Sequence, residues 1–528
     1  MSNKYEKTYC NPLSLPDYVY AGKDWAFLKQ FLPVTGRWQE GTTEPVLNTP
    51  FRPYRTLSDP DVMYHDGKWY MYATSDIVYE SSDLLSWEAH PLLPHRFDTE
   101  GLTKEGRELS PHEKDIFSIW TAATAQFYRG KFVMMHSSTN CIYASSSPYG
   151  PFEKLGELKR PDGSEIWVDD PALFVDDDDR IYLYFGCGIE TGIQGVELDG
   201  DNLCQLKTEP VRIVEFRPET VWECTGRRHQ DTTVGWIEGC DMFKHNGRYY
   251  MIYSANGTTY DTYNLGVYYS DNPLTGFKPQ KRKGPFAEKL EGVCKGSGHG
   301  SVIKGPDDTI WLFYTCISPM THMYERRIGM DKVLVDENGE LYVKPTDYPQ
   351  WAPGITKADD PDNDTGLLPL NHQNQAWATS ASPGRDPIYV GDESTITWWE
   401  PDEGDKKPQI IIDLRCDYEV SASRIMWKEI GIDKEKGANP GPVKYKIEVT
   451  ADASAKENWV TVVDMSENNE DYLNDYRTFE GVTANKAKLT ILDTPENVKI
   501  GVISFVVFGK KNSKEASDKT PFSLVLND

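Results

Sequence analysis

Residues 59 to 75 read "DPDVMYHDGKWYMYATS", with large apolar residues alternating with polar ones on both sides of Asp66-Gly67. Period two sends successive side chains to opposite faces of an extended chain, and Asp-Gly suits a tight two-residue turn, so the stretch predicts an antiparallel hairpin. The Asp-Pro that opens it has a plain explanation. Pro lacks an N–H and disfavours helix at the residue before it, which marks a strand entry.

Repetition changes that picture. The pattern returns as "AATAQFYRGKFVMMHSS" (122–138), "DPALFVDDDDRIYLYFG" (170–186), "EGCDMFKHNGRYYMIYS" (238–254) and "HGSVIKGPDDTIWLFYT" (299–315). Several copies are followed by a second ending, "VYESSDLLSWE", "IYASSSPYGPFEK" or "VYYSDNPLTGFKP", in which a strand, a Ser-rich turn and an aromatic recur. Five units of three or four strands, closed into a ring, predict an all-β, five-bladed β-propeller whose innermost strands line a central channel. The residues that start the copies, Asp59, Ala122, Asp170, Glu238 and His299, then converge on one mouth of that channel. Three carboxylates and an imidazole fill a purely structural channel badly, because adjacent buried charges repel and lose hydration.

The repeats continue to about residue 345, with a last strand pair around "DENGE". Residues 351–370, rich in Pro, Gly and Asp, predict a linker between a propeller at 1–350 and a second domain. Short β-branched runs at 409–414, 443–450, 459–464, 488–493 and 502–509 predict a β-sandwich at 371–510, with 511–528 as a tail or final strand.

Composition narrows the partners. A net charge of -26 repels nucleic acid and anionic membrane surfaces, and no run of 18 apolar residues exists to span a bilayer, so a neutral substrate is the natural one. Oligomeric state is not written in the chain. Nine cysteines without C-x-x-C spacing and ten histidines without H-E-x-x-H argue against zinc and against a fully paired disulfide framework. With no basic-then-apolar block at the N-terminus, the expectation is a cytoplasmic protein, although an exported one trimmed of its signal peptide would look identical. "GSGHG" (296–300) leads into a strand rather than a helix, which disfavours a phosphate-binding loop.

Two carboxylates flanking a sugar suffice for glycosidic hydrolysis, one protonating the leaving oxygen while the other attacks or activates water, and a third tunes their proton affinities. With these residues in this order, the chain from residue 10 to about 350 resembles glycoside hydrolase family 43, the five-bladed arabinofuranosidases, xylosidases and arabinanases. The resemblance implies an inverting mechanism, with Asp59 as general base, Glu238 as general acid and Asp170 as the pKa-modulating residue. It implies that His299 lies near the channel axis, where some members use it to hold calcium directly or through water; no cofactor is required. It also implies an arginine against the modulating Asp, Arg326 or its neighbour Arg327. Two departures, Trp120-Thr121-Ala122 for the usual "WAP" and Glu238-Gly239-Cys240 for "EGP", touch the shape of the subsites. The second domain resembles a discoidin-like galactose-binding sandwich through "AWATSAS", "ITWWEP", "QIIIDL" and "ISFVVFG".

Several residues admit two readings. Asp61 rivals Asp59, since period two puts both on one face. Trp120, Trp167 and Trp236 precede repeats, on loops feeding the mouth, and suit sugar stacking and core packing equally; the same holds for Trp398 and Trp399 in the sandwich. Asp176 to Asp179 form a turn and are expected to be solvated, while His136, His245 and His322 are expected to be structural. The leading function is an inverting exo-glycosidase that releases a terminal pentose, α-L-arabinofuranose or β-D-xylose. The alternatives are a family member acting on terminal β-galactose and a non-catalytic carbohydrate-binding propeller.

Overall fold

The computed structural model describes residues 3–21, 53–93, 120–137, 139–188, 191–318, 320–321, 324–355, 360, 363–452 and 454–511. His322 and the tail beyond 511 lie outside the described residues. Two compact units emerge, one from residues 11–347 and 352–363, the other from 1–10, 348–351 and 364 onward. The expected boundary at 350 is therefore too simple. Thr8–Tyr9 pairs with Gln350–Trp351, so the N-terminal segment belongs with the second unit and not with the propeller.

The first unit is the five-bladed propeller, each blade an antiparallel sheet. Blade 1 is Asp61–His65, Lys68–Tyr72, Ile77–Ser81 and Glu88–Pro91; blade 2 is Thr124–Tyr128, Lys131–Met135, Cys141–Ser145 and Glu153–Glu157. Blade 3 is Ala172–Val175, Ile181–Phe185, Ile193–Asp199 and Asn202–Leu206, with Val211–Val214 added beside the third strand. Blade 4 is Glu238–His245, Arg248–Ala255, Asn264–Ser270 and Lys278–Pro279, and blade 5 is Lys295–Lys304, Ile310–Ile317, Arg326–Val335 and Leu341–Val343. Alternate aromatic and aliphatic residues pack blade against blade: Met63, Tyr70 and Tyr72 of blade 1 meet Ala125, Phe132 and Met134 of blade 2 in one buried cluster. Such burial is the main favourable term in holding the sheets together.

The innermost strands are joined by two tiers of bonds that the repeats encode. The residue just before each inner strand, or at a bulge within it, is left-handed: Asp59 (φ 58°), Ala122 (43°), Asp170 (47°), Gly239 (53°) and His299 (29°). Four of these five are not glycine, and a left-handed non-glycine residue is costly unless its surroundings fix it. Hydroxyls at the ends of the second strands do so: Thr74 accepts the Ala122 N–H at 2.8 Å, Ser137 that of Asp170 at 3.0 Å, Ser254 that of His299 at 2.8 Å and Thr315 that of Asp59 at 2.9 Å. Two residues further along, Asp61 accepts the Ala125 N–H (2.9 Å), Thr124 that of Leu173 (3.0 Å), Asp241 that of Val302 (2.8 Å) and Ser301 that of Val62 (3.0 Å). Each bond runs to the next blade. Glu238, expected to share the ring position with the other copy starts, stands one residue before it, at the place of Ser58 and Gly298, and the ring position itself is Gly239.

The four-acid turn departs from expectation at its first member. Asp176 is buried, accepting from Tyr249 of blade 4 at 2.6 Å and paired with Lys244, while Asp177 to Asp179 are exposed. His136 is a core residue, as expected, its ring against Trp120 and Tyr143.

The second unit is a β-sandwich. Its strands run in the order Leu368–Pro369, Lys499–Lys511, Gln409–Ile430, Asn474–Asp493, Lys444–Thr450 and Val460–Met465, with Ala376–Ala378 also on Gln409–Ile430. Where short strands were expected, Gln409–Ile430 and Asn474–Asp493 are long and bent, with register breaks at Asp413/Tyr418 and Val420/Ala422. Trp399 is fully buried, and the Arg385 guanidinium lies 3.3 Å from the ring centre of Trp398, so neither indole offers a bare face for a sugar.

Asp241 yields a test of the second tier. Burial first, and then the neighbouring Asp61, push its carboxyl from an ordinary 3.8 to about 8. A raised carboxyl pKa means that the native state binds more protons than the unfolded chain between those values, so stability falls as pH rises through that window. Asp241→Asn keeps an oxygen for Val302 and removes the charge. The melting temperature of the variant relative to the parent should therefore rise from about pH 5 to about pH 8; a difference independent of pH would refute the account.

Candidate active site

The first tier delivers Asp59, Asp170 and His299 to one mouth of the channel, and the step before Gly239 adds Glu238. Asp59 is buried and fully engaged. Its Oδ2 accepts from Ser58 (2.9 Å) and Thr74 (2.5 Å), and its Oδ1 accepts from Arg326 Nη1 (3.2 Å), with His299 Nδ1 at 3.4 Å. Burial alone would raise this carboxyl, but Arg326, His299 and the two hydroxyls outweigh it and hold it below the ordinary 3.8.

Asp170 shares the imidazole, its Oδ2 lying 3.9 Å from His299 Nδ1, and its Oδ1 accepts from Ser137 at 3.0 Å. Burial raises its pKa; His299 opposes and Asp59 adds to the rise, leaving it above the ordinary value. Glu238 is buried with no cation in contact. Its Oε1 accepts from Tyr263 at 2.9 Å, and its Oε2 accepts from Trp236 Nε1 and from the Cys187 thiol at 3.2 Å. Burial, then the neighbouring charge of Asp170, push Glu238 from 4.5 up to about 7. Two carboxyl groups at one mouth are thus displaced in opposite directions, one toward the ionised form and one toward the protonated form. That contrast is how a single site runs base and acid chemistry together.

The structure brings most of the expected residues together and reassigns some. Arg326 sits against Asp59 instead of the modulating Asp170, and its Nη1 also donates to Thr258 at 3.0 Å. Arg327 is buried on Glu325 and on the carbonyls of Arg55 and Arg326. Asp61 ties blade 1 to blade 2, which leaves Asp59 as the carboxylate at the arginine. Trp120 is wholly buried, edge-on to His136 and Tyr143, so the sugar-stacking alternative fails there through packing. Trp167 is half-buried, and Trp236 acts through its N–H on Glu238.

Calcium takes roughly six to eight oxygen ligands. The one three-donor grouping among the described residues is Asp170, Cys187 and Glu238, with ligand atoms within 4.8 Å of one another. A thiol is a poor calcium ligand, and His299 Nδ1 is turned onto two carboxylates. This donor set does not fit calcium.

Sequence reasoning missed Cys187, Tyr263 and the ring hydroxyls. The hydroxyls left a trace, since four of the five copies end in Ser or Thr where the third ends "YFG". Cys187 and Tyr263 lie between repeats and left none.

A propeller mouth whose carboxyl groups are displaced in opposite directions suits acid–base chemistry. The profile of glycosyl hydrolases family 43 matches residues 47–341, more than half of the chain, and the chain belongs to that family. Residues 389–489 match the NedA-like, galactose-binding domain. Among relatives, a β-D-galactofuranosidase of Aspergillus niger is 24% identical over 308 residues, covering 54% of this chain and 81% of the relative. A β-xylosidase of Xylanibacter ruminicola is 24% identical over 54% of this chain and 95% of the relative. An arabinoxylan arabinofuranohydrolase of Paenibacillus polymyxa is 25% identical over 44% of this chain, and the match spans only 41% of that enzyme.

The two displaced carboxyls shape the pH dependence of kcat/KM, which reports the free enzyme. With Asp59 as base and Glu238 as acid, the roles that the resemblance implies, activity needs the first ionised and the second protonated. The ascending limb should therefore lie below 3.8 and the descending limb near 7, with activity lost as pH rises through it. Arg326→Gln removes the leading group that holds Asp59 down, so the ascending limb should move to higher pH while the descending limb stays. A fixed ascending limb in that variant would refute the role of the guanidinium.

Proposed function

We propose that this enzyme is an inverting, exo-acting glycoside hydrolase that releases terminal α-L-arabinofuranose or β-D-xylose from plant-type oligo- or polysaccharide. The observation that carries this is the opposite displacement of Asp59 and Glu238. Ionised Asp59 takes a proton from a water as that water attacks the anomeric carbon. The bond to the leaving oxygen breaks, and that oxygen takes its proton from Glu238. Asp170 contributes the negative charge that keeps Glu238 protonated near neutrality. Arg326 and His299 keep Asp59 ionised. The β-xylosidase and the arabinoxylan arabinofuranohydrolase among the relatives support a pentose. A second reading, terminal β-D-galactofuranose, is favoured by the Aspergillus niger relative.

Nitrophenyl α-L-arabinofuranoside, β-D-xyloside and β-D-galactofuranoside decide among these, with proton NMR of the first-formed sugar to read its anomeric configuration. Turnover of none of them by folded enzyme would overturn the exo reading, and retained configuration would overturn the role of Asp59.

The two roles separate by leaving group. A dinitrophenolate departs without protonation whereas a sugar alkoxide does not, so Glu238→Ala should lose on the order of 10² to 10⁴ on the natural oligosaccharide and far less on the activated glycoside. Both substrates need the attacking water, so Asp59→Ala should lose comparable factors on each. If Asp59→Ala were the variant spared by the better leaving group, the assignments would be exchanged.

A further inference from the structure

The Glu238 carboxyl meets three donors, and its two oxygens are not equivalent. Oε2 accepts the Trp236 indole N–H and the Cys187 S–H. An indole nitrogen only donates and a thiol is a weak acceptor, so Oε2 has no good partner on which to rest a proton. Oε1 faces the Tyr263 hydroxyl at 2.9 Å, which both donates and accepts.

The Ser254 hydroxyl is the next polar neighbour of the Tyr263 hydroxyl, lowering its pKa, and Ser254 Oγ donates to the Gly239 carbonyl at 3.3 Å while accepting the His299 N–H at 2.8 Å. This row ends on a carbonyl, so its protons can all point one way. With Glu238 protonated, the carboxyl O–H donates to Tyr263, Tyr263 to Ser254, and Ser254 to Gly239. With Glu238 ionised, Tyr263 turns its own proton to Oε1 and accepts from Ser254. The ring is held in place, since Tyr263 is 1% exposed and a Cβ at Gly298 would sit 2.0 Å from its carbons.

We propose that Tyr263 is a positioning residue that sets the transferable proton of Glu238 on Oε1 and then stabilises the carboxylate left behind. As the glycosidic oxygen leaves, the Oε1–H turns from Tyr263 to that oxygen, the Oε1–H bond breaks and the O–H bond of the departing alcohol forms. Tyr263 then rotates to donate to Oε1, and no net proton passes through it. The inference rests on Glu238 being the general acid.

Tyr263→Phe keeps the ring and removes the hydroxyl. The ionised acid loses a donor, so the descending limb of kcat/KM should move to higher pH. Turnover of the natural oligosaccharide should fall on the order of 10-fold, with dinitrophenyl glycoside turnover and both KM values within about 2-fold of the parent. Replacing Tyr263 alone with 3-fluorotyrosine, whose more acidic hydroxyl donates more strongly, should move the same limb to lower pH. This variant keeps the test decisive if the phenylalanine variant folds poorly. Glu238→Gln tests the underlying reading separately: equal losses on natural and dinitrophenyl substrates would remove Glu238 as the acid. If Glu238→Gln shows the leaving-group dependence and the descending limb stays fixed in the fluorotyrosine variant, the positioning role falls alone.

Discussion

A left-handed residue at the head of an inner strand points its N–H sideways, and that N–H has to find an acceptor or the turn is lost. In this propeller the acceptor is a hydroxyl of the preceding blade, at four of the five seams. The bond does two jobs at once. It fixes an unfavourable backbone conformation, and it fixes the angle between neighbouring sheets. Because the left-handed residue's side chain is thrown into the mouth by that same φ, the seam bonds that close the ring also aim Asp59, Asp170 and His299 at one another. Thr74 shows how tightly the two jobs are joined, since its hydroxyl accepts from Ala122 and donates to the Asp59 carboxylate.

The electrostatic contrast follows from where each carboxyl sits on this ring. Asp59 lies where blade 5 contributes Arg326, so burial is answered by a guanidinium and an imidazole. Glu238 lies where the segment after Phe185 of blade 3 contributes the Cys187 thiol and its own lead-in contributes the Trp236 indole, so burial is answered mainly by neutral donors, with Asp170 adding like charge. Burial of similar depth thus yields opposite displacements, and the deciding charge, Arg326 on Asp59, comes from a blade far away in sequence.

The hairpins were legible because aromatic and aliphatic residues alternate around Asp66-Gly67, Arg129-Gly130 and Asn246-Gly247, each a sequence that accepts positive φ. Asp59, Asp170 and His299 were legible by their places in the copies. The place of Glu238 was misjudged because the copy was started at its carboxylate; counted back from Asn246-Gly247 as Asp59 is from Asp66-Gly67, the ring position falls on Gly239. Trp120 stands two residues before the left-handed Ala122 and Trp236 three before Gly239, a difference hidden while Glu238 was taken as the copy start; one packs in a core and the other bonds Glu238. Asp176 looked like one acid among four, and only Lys244 and Tyr249 of the next blade distinguish it. In the sandwich, bends inside Gln409–Ile430 and Asn474–Asp493 break the apolar runs, so long strands resembled several short ones.

The seam between blades 3 and 4 breaks the rule of the ring, and the break explains why the acid lies one residue off it. A hydroxyl is missing there because the position belongs to Gly186, where a Cβ would fall 2.0 Å from the Gly192 carbonyl oxygen. The second-tier polar group is missing too, since Ala172 stands in its place. The seam is held instead by a backbone pair between Gly188 and Ile237 (3.1 and 3.2 Å) and by Asp176 on Lys244 and Tyr249. On the blade 4 side the ring position cannot carry a side chain, because a Cβ at Gly239 would lie 2.7 Å from the His299 ring and 2.8 Å from Ser254 Oγ. A carboxylate on that blade therefore has to come from a neighbour. From 238 it escapes direct contact with His299, which ranks last among the influences on its proton affinity, and enters the neutral cage of Trp236, Cys187 and Tyr263. Restoring the repeat at this seam would press the acid against the imidazole and favour its ionised form, which is the protonation state a proton donor must avoid.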